Sequence, residues 1–222
     1  MRAAAPDGEP VTNGDRAFPG YCRRRYRPTR RGATRRGRSK RATAQWPGWR
    51  PLHAAIEQLD HGGPLEAIIL LTRNGASVDA WDARHEATPL LMAIFRGQRE
   101  ALHLLLALRA ETNIVGAEGD SPLRWAVGRR DCGLAGLLLR CGADRTIDEA
   151  GGPSGMTGLG LAASQLDVLM VGLLLAAGAN PRALDADRRT ARDRLLASPD
   201  TNPGLRRRIE ALLAGTTSSE DA

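Results

Sequence analysis

From Trp46 onward, apolar clusters recur at regular intervals, and each recurrence has two parts. A short opening such as Thr88-Pro89-Leu90-Leu91-Met92-Ala93 is followed by a leucine-rich cluster such as residues 101–108. The openings begin at positions 50, 88, 121, 157 and 190, so successive openings lie 38, 33, 36 and 33 residues apart. A period of about 33 residues predicts an array of structural repeats.

Each unit predicts a pair of helices. Four openings carry residues that favour a helix N-cap, and two place proline at the next position: Thr88, Ser121, Thr157 and Thr190, with Pro89 and Pro122. The leucine cluster predicts a second helix, and in three units a glycine that suits left-handed helix termination follows it: Gly75, Gly142 and Gly178. Arg109 stands at the corresponding position of another unit, where a side chain makes that conformation costlier.

The sequence resembles the ankyrin repeat in Pro51-Leu52-His53-Ala54-Ala55, in Asn74-Gly75-Ala76-Ser77-Val78-Asp79-Ala80, and in the aligned openings and helix ends. The resemblance covers residues 46–214, about five repeats, and predicts an all-α, ankyrin-repeat solenoid of helix-turn-helix units. It implies a curved stack of antiparallel helix pairs with projecting turns, a concave binding face and protein recognition. It also implies that His53 makes a structural hydrogen bond to a neighbouring repeat.

The units are not identical. The first carries extra residues around positions 60–64 and has Arg50 where a threonine is expected, which predicts an irregular cap. Residues 149–155 hold three extra residues, and their glycines are interpreted as a flexible turn. The last unit is stretched at residues 198–204.

The positive charge of the chain is concentrated at its beginning. Residues 1–50 hold 14 Arg or Lys against 3 Asp or Glu, whereas the remainder holds 18 against 22. Residues 1–45 show no apolar period, so we expect a disordered, Arg-rich arm, and we expect residues 215–222 to be a disordered tail. Aromatic residues make up only 4% of the chain, which favours a Leu, Ala, Val and Ile core in closely packed helices.

The basic arm has three interpretations. In the first, the arm binds the phosphate backbone of a nucleic acid; in the second, it serves as a nuclear import signal; in the third, it is a solvated tail without function. The residues that would contact nucleic acid are Arg23, Arg24, Arg25, Arg27, Arg30, Arg31, Arg35, Arg36, Arg38, Lys40 and Arg41. Composition alone does not decide among the three.

No catalytic or metal-binding arrangement is recognised in the sequence. The four histidines are scattered at positions 53, 61, 85 and 103, Asp185 and Asp187 are interpreted as turn residues, and no cofactor-binding motif is present. Cys132 and Cys141 bracket one predicted helix, too far apart for a disulfide. The odd cysteine count and the lack of a membrane span or secretory signal predict a cytoplasmic protein that does not contact a membrane.

The resemblance also places a set of side chains on the turn tips and the concave face. These candidate partner-binding residues are Trp81, Arg84, His85, Phe95, Arg96, Glu118, Asp120, Arg129, Met156, Gln165 and Arg189. Tryptophan and arginine are frequent anchors in protein interfaces. In the alternative interpretation Trp81 and Phe95 only cover neighbouring turns, while Trp125 is expected in the core.

We therefore expect a monomeric, non-enzymatic scaffold or adaptor without a cofactor, which binds a protein through its concave face and turn tips. The alternative is a nucleic-acid-associated protein, in which the arm binds phosphates and the repeats recruit a partner.

Overall fold

The computed structural model describes residues 50–82, 86–117, 119–198 and 202–215; the predicted arm of residues 1–45 lies outside these ranges. The described residues form α-helices joined by turns, with a single isolated bridge between Gly151 and Met156 and no strand. The helices are α1 (Pro51–Leu59), α2 (Glu66–Arg73), α3 (Pro89–Arg96), α4 (Arg99–Ala107), α5 (Pro122–Gly128), α6 (Cys132–Arg140), α7 (Gly158–Ser164), α8 (Val168–Ala176), α9 (Ala191–Ala197) and α10 (Pro203–Gly215).

The helices are arranged as five consecutive pairs, from α1 with α2 to α9 with α10. The first helices of the pairs pack on one another in series, α1 on α3, α3 on α5, α5 on α7 and α7 on α9. The second helices form another layer, in which α6 packs on α8 and α8 on α10. The predicted all-α solenoid of five helix pairs is confirmed for the described residues.

The predicted helix starts are also confirmed. The side-chain oxygen of each predicted N-cap accepts a hydrogen bond from the backbone amide three residues later, at Thr88, Ser121, Thr157 and Thr190. At Thr190 the bond is reciprocated by Asp193, which completes a capping box. Arg50, in contrast, caps α1 without a side-chain hydrogen bond, in agreement with an irregular first unit.

Left-handed residues end the second helices where the sequence predicts them. Gly75, Gly142 and Gly178 have φ values of 87°, 87° and 92°. Arg109 follows α4 in the same way, with φ of 61°. The chain therefore keeps this turn geometry even where a side chain makes it costlier.

The core runs between the two helical layers and consists mainly of leucine and alanine. Leu105, Leu138 and Leu174 of the second helices are completely buried, and Ala126 and Ala162 of the first helices are as well. The small alanines let neighbouring first helices approach closely, as the low aromatic content predicts. Within the described ranges, no helix is long and apolar enough to cross a membrane.

Candidate partner-binding surface

Four loops connect successive repeats, and each lies between a second helix and the next first helix. We name them tip 1 (residues 79–87), tip 2 (113–120), tip 3 (148–156) and tip 4 (182–189). A backbone hydrogen bond closes each tip: Asp82 N to Ala87 O at 3.0 Å, Gly116 N to Asp120 O at 2.9 Å, Gly151 N to Met156 O at 3.3 Å, and Asp185 N to Arg189 O at 3.0 Å. The repeat sequence thus produces four loops of related backbone geometry.

Tips 2, 3 and 4 lie side by side. The backbone amide of Ala186 donates to the Gly155 carbonyl at 2.9 Å, which joins tip 4 to tip 3. A Cβ on Gly151 would lie 1.9 Å from the carbonyl oxygen of Gly119, so tip 3 contacts tip 2 through glycine backbone. The backbone of residues 149–155 thus contacts both neighbouring tips, and the interpretation of its glycines as a flexible turn stays a prediction.

Arg124, in the first turn of α5, binds tips 2 and 3 together. Its side chain is only 7% exposed; Nε donates to Asp120 Oδ1 at 2.9 Å, Nη2 to Ser154 Oγ at 2.9 Å, and Nη1 to the Met156 carbonyl. Burial raises the pKa of Asp120, and the charge of Arg124 opposes this. A Cβ on Gly152 would lie 2.8 Å from Nη2, so only glycine lets the loop cover the guanidinium.

A second buried arginine, Arg194 of α9, fixes tip 4. It donates to the carboxylates of Asp185 and Asp187. Asp185 Oδ1 also accepts from the backbone amides of Asp187 and Arg189, each at 2.9 Å, so the predicted role of these aspartates in a turn is confirmed. Burial acts to raise the pKa of Asp185, but the hydrogen bonds from Arg194 and the two amides hold it below its usual value.

At the other end of the first helices, each repeat donates a side-chain hydrogen bond to the last turn of the preceding first helix. The bonds are Gln98 Nε2 to Ile56 O at 2.9 Å, Arg129 Nη1 to Ile94 O at 3.0 Å, Gln165 Nε2 to Gly128 O at 3.5 Å, and Ser198 Oγ to Ser164 O at 2.9 Å. These carbonyls lie at the C-terminal ends of the first helices, where backbone acceptors are not all satisfied within the helix, and the next repeat supplies a donor. Two candidate residues, Arg129 and Gln165, therefore also brace the stack.

Arg96 has a similar structural contact, because its guanidinium pairs with Glu57 and Asp60 of the first repeat. Burial raises the pKa of Glu57 against the opposing charge of Arg96. Asp60 belongs to the extra residues of the first unit, so this irregular segment takes part in joining the first two repeats.

The remaining candidates lie in the tips and in the first helices. Trp81 is half-buried in tip 1, and Arg189 is exposed in tip 4. Phe95 is half-buried, with its ring centroid 4.5 Å from that of Trp125 in the following repeat. Trp125 itself is half-buried against the core, instead of lying fully inside it.

Several candidates cannot be placed. Arg84, His85 and Glu118 lie outside the described residues, and so do all eleven of the arm residues proposed to contact nucleic acid.

His53 has the structural role that the resemblance implies. It is 1% exposed, its Nε2 lies 3.0 Å from the Ala87 carbonyl, and burial lowers its pKa. The bond requires the Nε2–H tautomer and joins α1 to tip 1. Among the described residues, no group of three or more His, Cys, Asp or Glu side chains is placed to hold a metal ion. Cys132 and Cys141, at the two ends of α6, are both free thiols.

Comparison with known proteins adds two partial relatives. No family model matches the sequence. The B-cell lymphoma 3 protein homolog of Mus musculus is 34% identical over 99 residues, which are 45% of this chain and 21% of that protein. The Ankyrin repeat domain-containing protein 13C of Danio rerio is 38% identical over 72 residues, which are 32% of this chain and 14% of that protein. The similarity thus spans less than a quarter of either relative.

Proposed function

We propose that the chain, which is similar to ankyrin-repeat proteins over part of its length and folds into helix pairs, is a non-enzymatic scaffold or adaptor that binds a protein partner. The partner contacts the four tips, the exposed side chains of the first helices and the residues that end these helices, such as Arg129; we name these together the tip surface. We infer that this surface is the concave face with its turn tips that the resemblance implies. The similarity to ankyrin-repeat proteins supports a role in protein interaction.

The observation that carries the proposal is the set of hydrogen bonds within the tips and between tips 2, 3 and 4. Each tip is closed by a backbone hydrogen bond, Arg124 joins tips 2 and 3, and Arg194 fixes tip 4. Loops held in one conformation lose little entropy when a partner binds, which favours affinity. A row of such loops on a helical scaffold suits recognition of a folded or extended protein surface.

The chemistry of the surface supports a protein ligand. Trp81 and Arg129 belong to residue types that anchor interfaces, and they lie in successive parts of the array. Arg129 is exposed although one of its nitrogens bonds to the Ile94 carbonyl, so its other donors point to solvent or a partner. Arg189 presents a further guanidinium at tip 4.

Cytoplasm is the proposed compartment, because the free thiols Cys132 and Cys141 suit a reducing environment. We propose a monomer that carries out no reaction and needs no cofactor. The partner is to be identified by experiment.

The test is affinity capture with the full-length chain, followed by identification of the bound proteins and comparison with Trp81→Ala/Arg129→Ala. We expect this variant to lose most of the capture, because it removes two anchors of the tip surface. The matched control is Arg73→Ala/His103→Ala, which changes two exposed positions on the second helices. Both variants are checked by thermal unfolding.

Two outcomes contradict the proposal. Equal capture by the folded tip variant and by the control would place the binding site elsewhere. Capture that nuclease treatment and moderate salt abolish would favour the arm as a nucleic-acid ligand site, because phosphate contacts weaken steeply with ionic strength.

A further inference from the structure

Tip 4 differs from tips 2 and 3 in its charge. Tips 2 and 3 contain no Lys or Arg, whereas tip 4 contains Arg182 at its start and Arg188 and Arg189 at its end, and Arg192 follows in the first turn of α9. All four arginines are exposed. We name Arg188, Arg189 and Arg192 the Arg patch.

The acidic residues next to the patch are already engaged. Asp185 and Asp187 bind the buried Arg194, and Asp193 accepts hydrogen bonds from the amide of Thr190 at 2.9 Å and its hydroxyl at 2.8 Å. Within the described part of the chain, no side-chain hydrogen bond or ion pair forms at Arg188, Arg189 or Arg192. The local carboxylates therefore serve the fold and leave the patch with excess positive charge.

Two members of the patch, Arg189 and Arg192, lie near the same carboxylate. The hydrogen bonds from Thr190 lower the pKa of Asp193, and the charges of Arg189 and Arg192 lower it further, so both guanidiniums lie in the field of that carboxylate. Arg188 and Arg189 are adjacent in the closed turn of tip 4.

Arg188 also occupies a position that glycine fills in the neighbouring tips. The residue before the closing carbonyl has φ of 78° at Gly119, 59° at Gly155 and 59° at Arg188. A non-glycine residue pays a steric cost in this region, and such residues are concentrated where the side chain has a use. The chain thus places an arginine in the closed turn of tip 4 against the local backbone preference.

Because of these features, we propose that the Arg patch binds an acidic segment of the protein partner. The inference rests on the proposed function and adds the chemistry and location of one contact. Guanidiniums bind carboxylates through paired hydrogen bonds, which suits Asp- or Glu-rich sequence. Asp148 and Glu149 at the start of tip 3 make the adjacent surface acidic, so a long polyanion along the tips would meet like charges. A short acidic segment at the last tip avoids them.

The experiment uses the full-length chain and an octaglutamate peptide that carries a photoreactive benzophenone, at low ionic strength. Mass spectrometry then locates the crosslinks, so that binding by residues 1–45 is read separately from binding at tip 4. We expect crosslinks within residues 180–193. In Arg188→Gln/Arg189→Gln/Arg192→Gln these should fall about tenfold, since three screened charge pairs are lost.

The matched control is Arg73→Gln/Arg109→Gln/Arg140→Gln, which removes the same charge from exposed positions at or just after the ends of α2, α4 and α6. The yield of tip 4 crosslinks in this control should stay within about twofold of the yield in the original protein, because the three removed charges do not belong to tip 4. Equal losses in both variants, or no tip 4 crosslinks at all, would overturn the proposal.

A photoreactive eight-nucleotide oligothymidylate provides the second arm. Crosslinks from this probe to tip 4 at lower concentration than octaglutamate would identify the patch as a phosphate site and overturn the acidic-protein assignment. The proposed function fails on a different readout, the capture by Trp81→Ala/Arg129→Ala, so the two failures are distinguishable.

Discussion

Replacement of Arg124 with alanine tests how the tips are held. Arg124 contacts one side chain in tip 2, Asp120, and two groups in tip 3, Ser154 Oγ and the Met156 carbonyl. The substitution removes all three contacts and leaves Asp120, whose side chain is only 17% exposed, without its cation. We expect both lower stability and weaker partner capture, because tips 2 and 3 lose their common anchor.

The magnitude follows from burial. The Arg124 side chain is 7% exposed and therefore buried. Removing one partner of a buried ion pair costs roughly 3–5 kcal/mol. Because Asp120 is partly hydrated and tip 3 can relax, we expect a loss of about 3 kcal/mol in the free energy of unfolding. For a chain of this size the melting temperature should fall by roughly 6–12 °C.

The assay is urea unfolding of Arg124→Ala, Asp120→Asn and the double variant, with Arg140→Ala as control for an exposed arginine. The coupling energy between Arg124 and Asp120 should exceed about 1 kcal/mol, while Arg140→Ala should change stability by less than about 0.5 kcal/mol. A loss for Arg124→Ala no larger than that of Arg140→Ala would refute the reasoning.

Two further predictions concern His53 and Arg109. The lowered pKa of His53 means that the unfolded chain binds the proton more readily, so this contribution to stability is present above pH ~6.5 and lost as pH falls below it. The free energy of unfolding of the original protein relative to His53→Gln, measured by urea unfolding, should therefore drop from pH 7 to pH 5. A difference between the two proteins that does not depend on pH would contradict this. Arg109→Gly should raise the free energy of unfolding by about 1 kcal/mol, because glycine removes the steric cost of a side chain in the left-handed conformation. Gly142→Ala at the equivalent turn should lower the free energy of unfolding. A lower melting temperature for Arg109→Gly would mean that the Arg109 side chain contributes more to stability than the strain costs.

The elements that the sequence predicts correctly are those decided by local chemistry. Thr88 and Ser121 cap helices through their own following amides, and Gly142 takes a conformation that glycine permits at little cost. The same types of capping residue recur with the repeat period, so agreement among the repeats strengthens the prediction at each position. The arginine at position 109 was recognisable as an exception only because the other copies defined the position.

The Arg124 network was not predicted, because it depends on residues from two different loops. The available signal was an arginine within an opening where other repeats have Leu91 or Gly160. That substitution indicates a special environment but does not identify its partners. They become apparent only when the extra residues of tip 3, through Gly152, are seen to cover the guanidinium.

The same limit applies to the partner-binding residues. A repeat alignment identifies Arg96, Arg129 and Gln165 as polar positions on one face, and their contact with a partner stays a prediction. In the structure all three also bind groups of the preceding repeat. Stacked helix ends expose backbone carbonyls that need donors, so a solenoid uses part of its polar face to hold itself together. We expect substitutions at these three residues to change stability as well as binding. The side chains of the Arg patch make no side-chain hydrogen bond or ion pair within the described residues, and the patch is therefore the cleaner place to measure recognition.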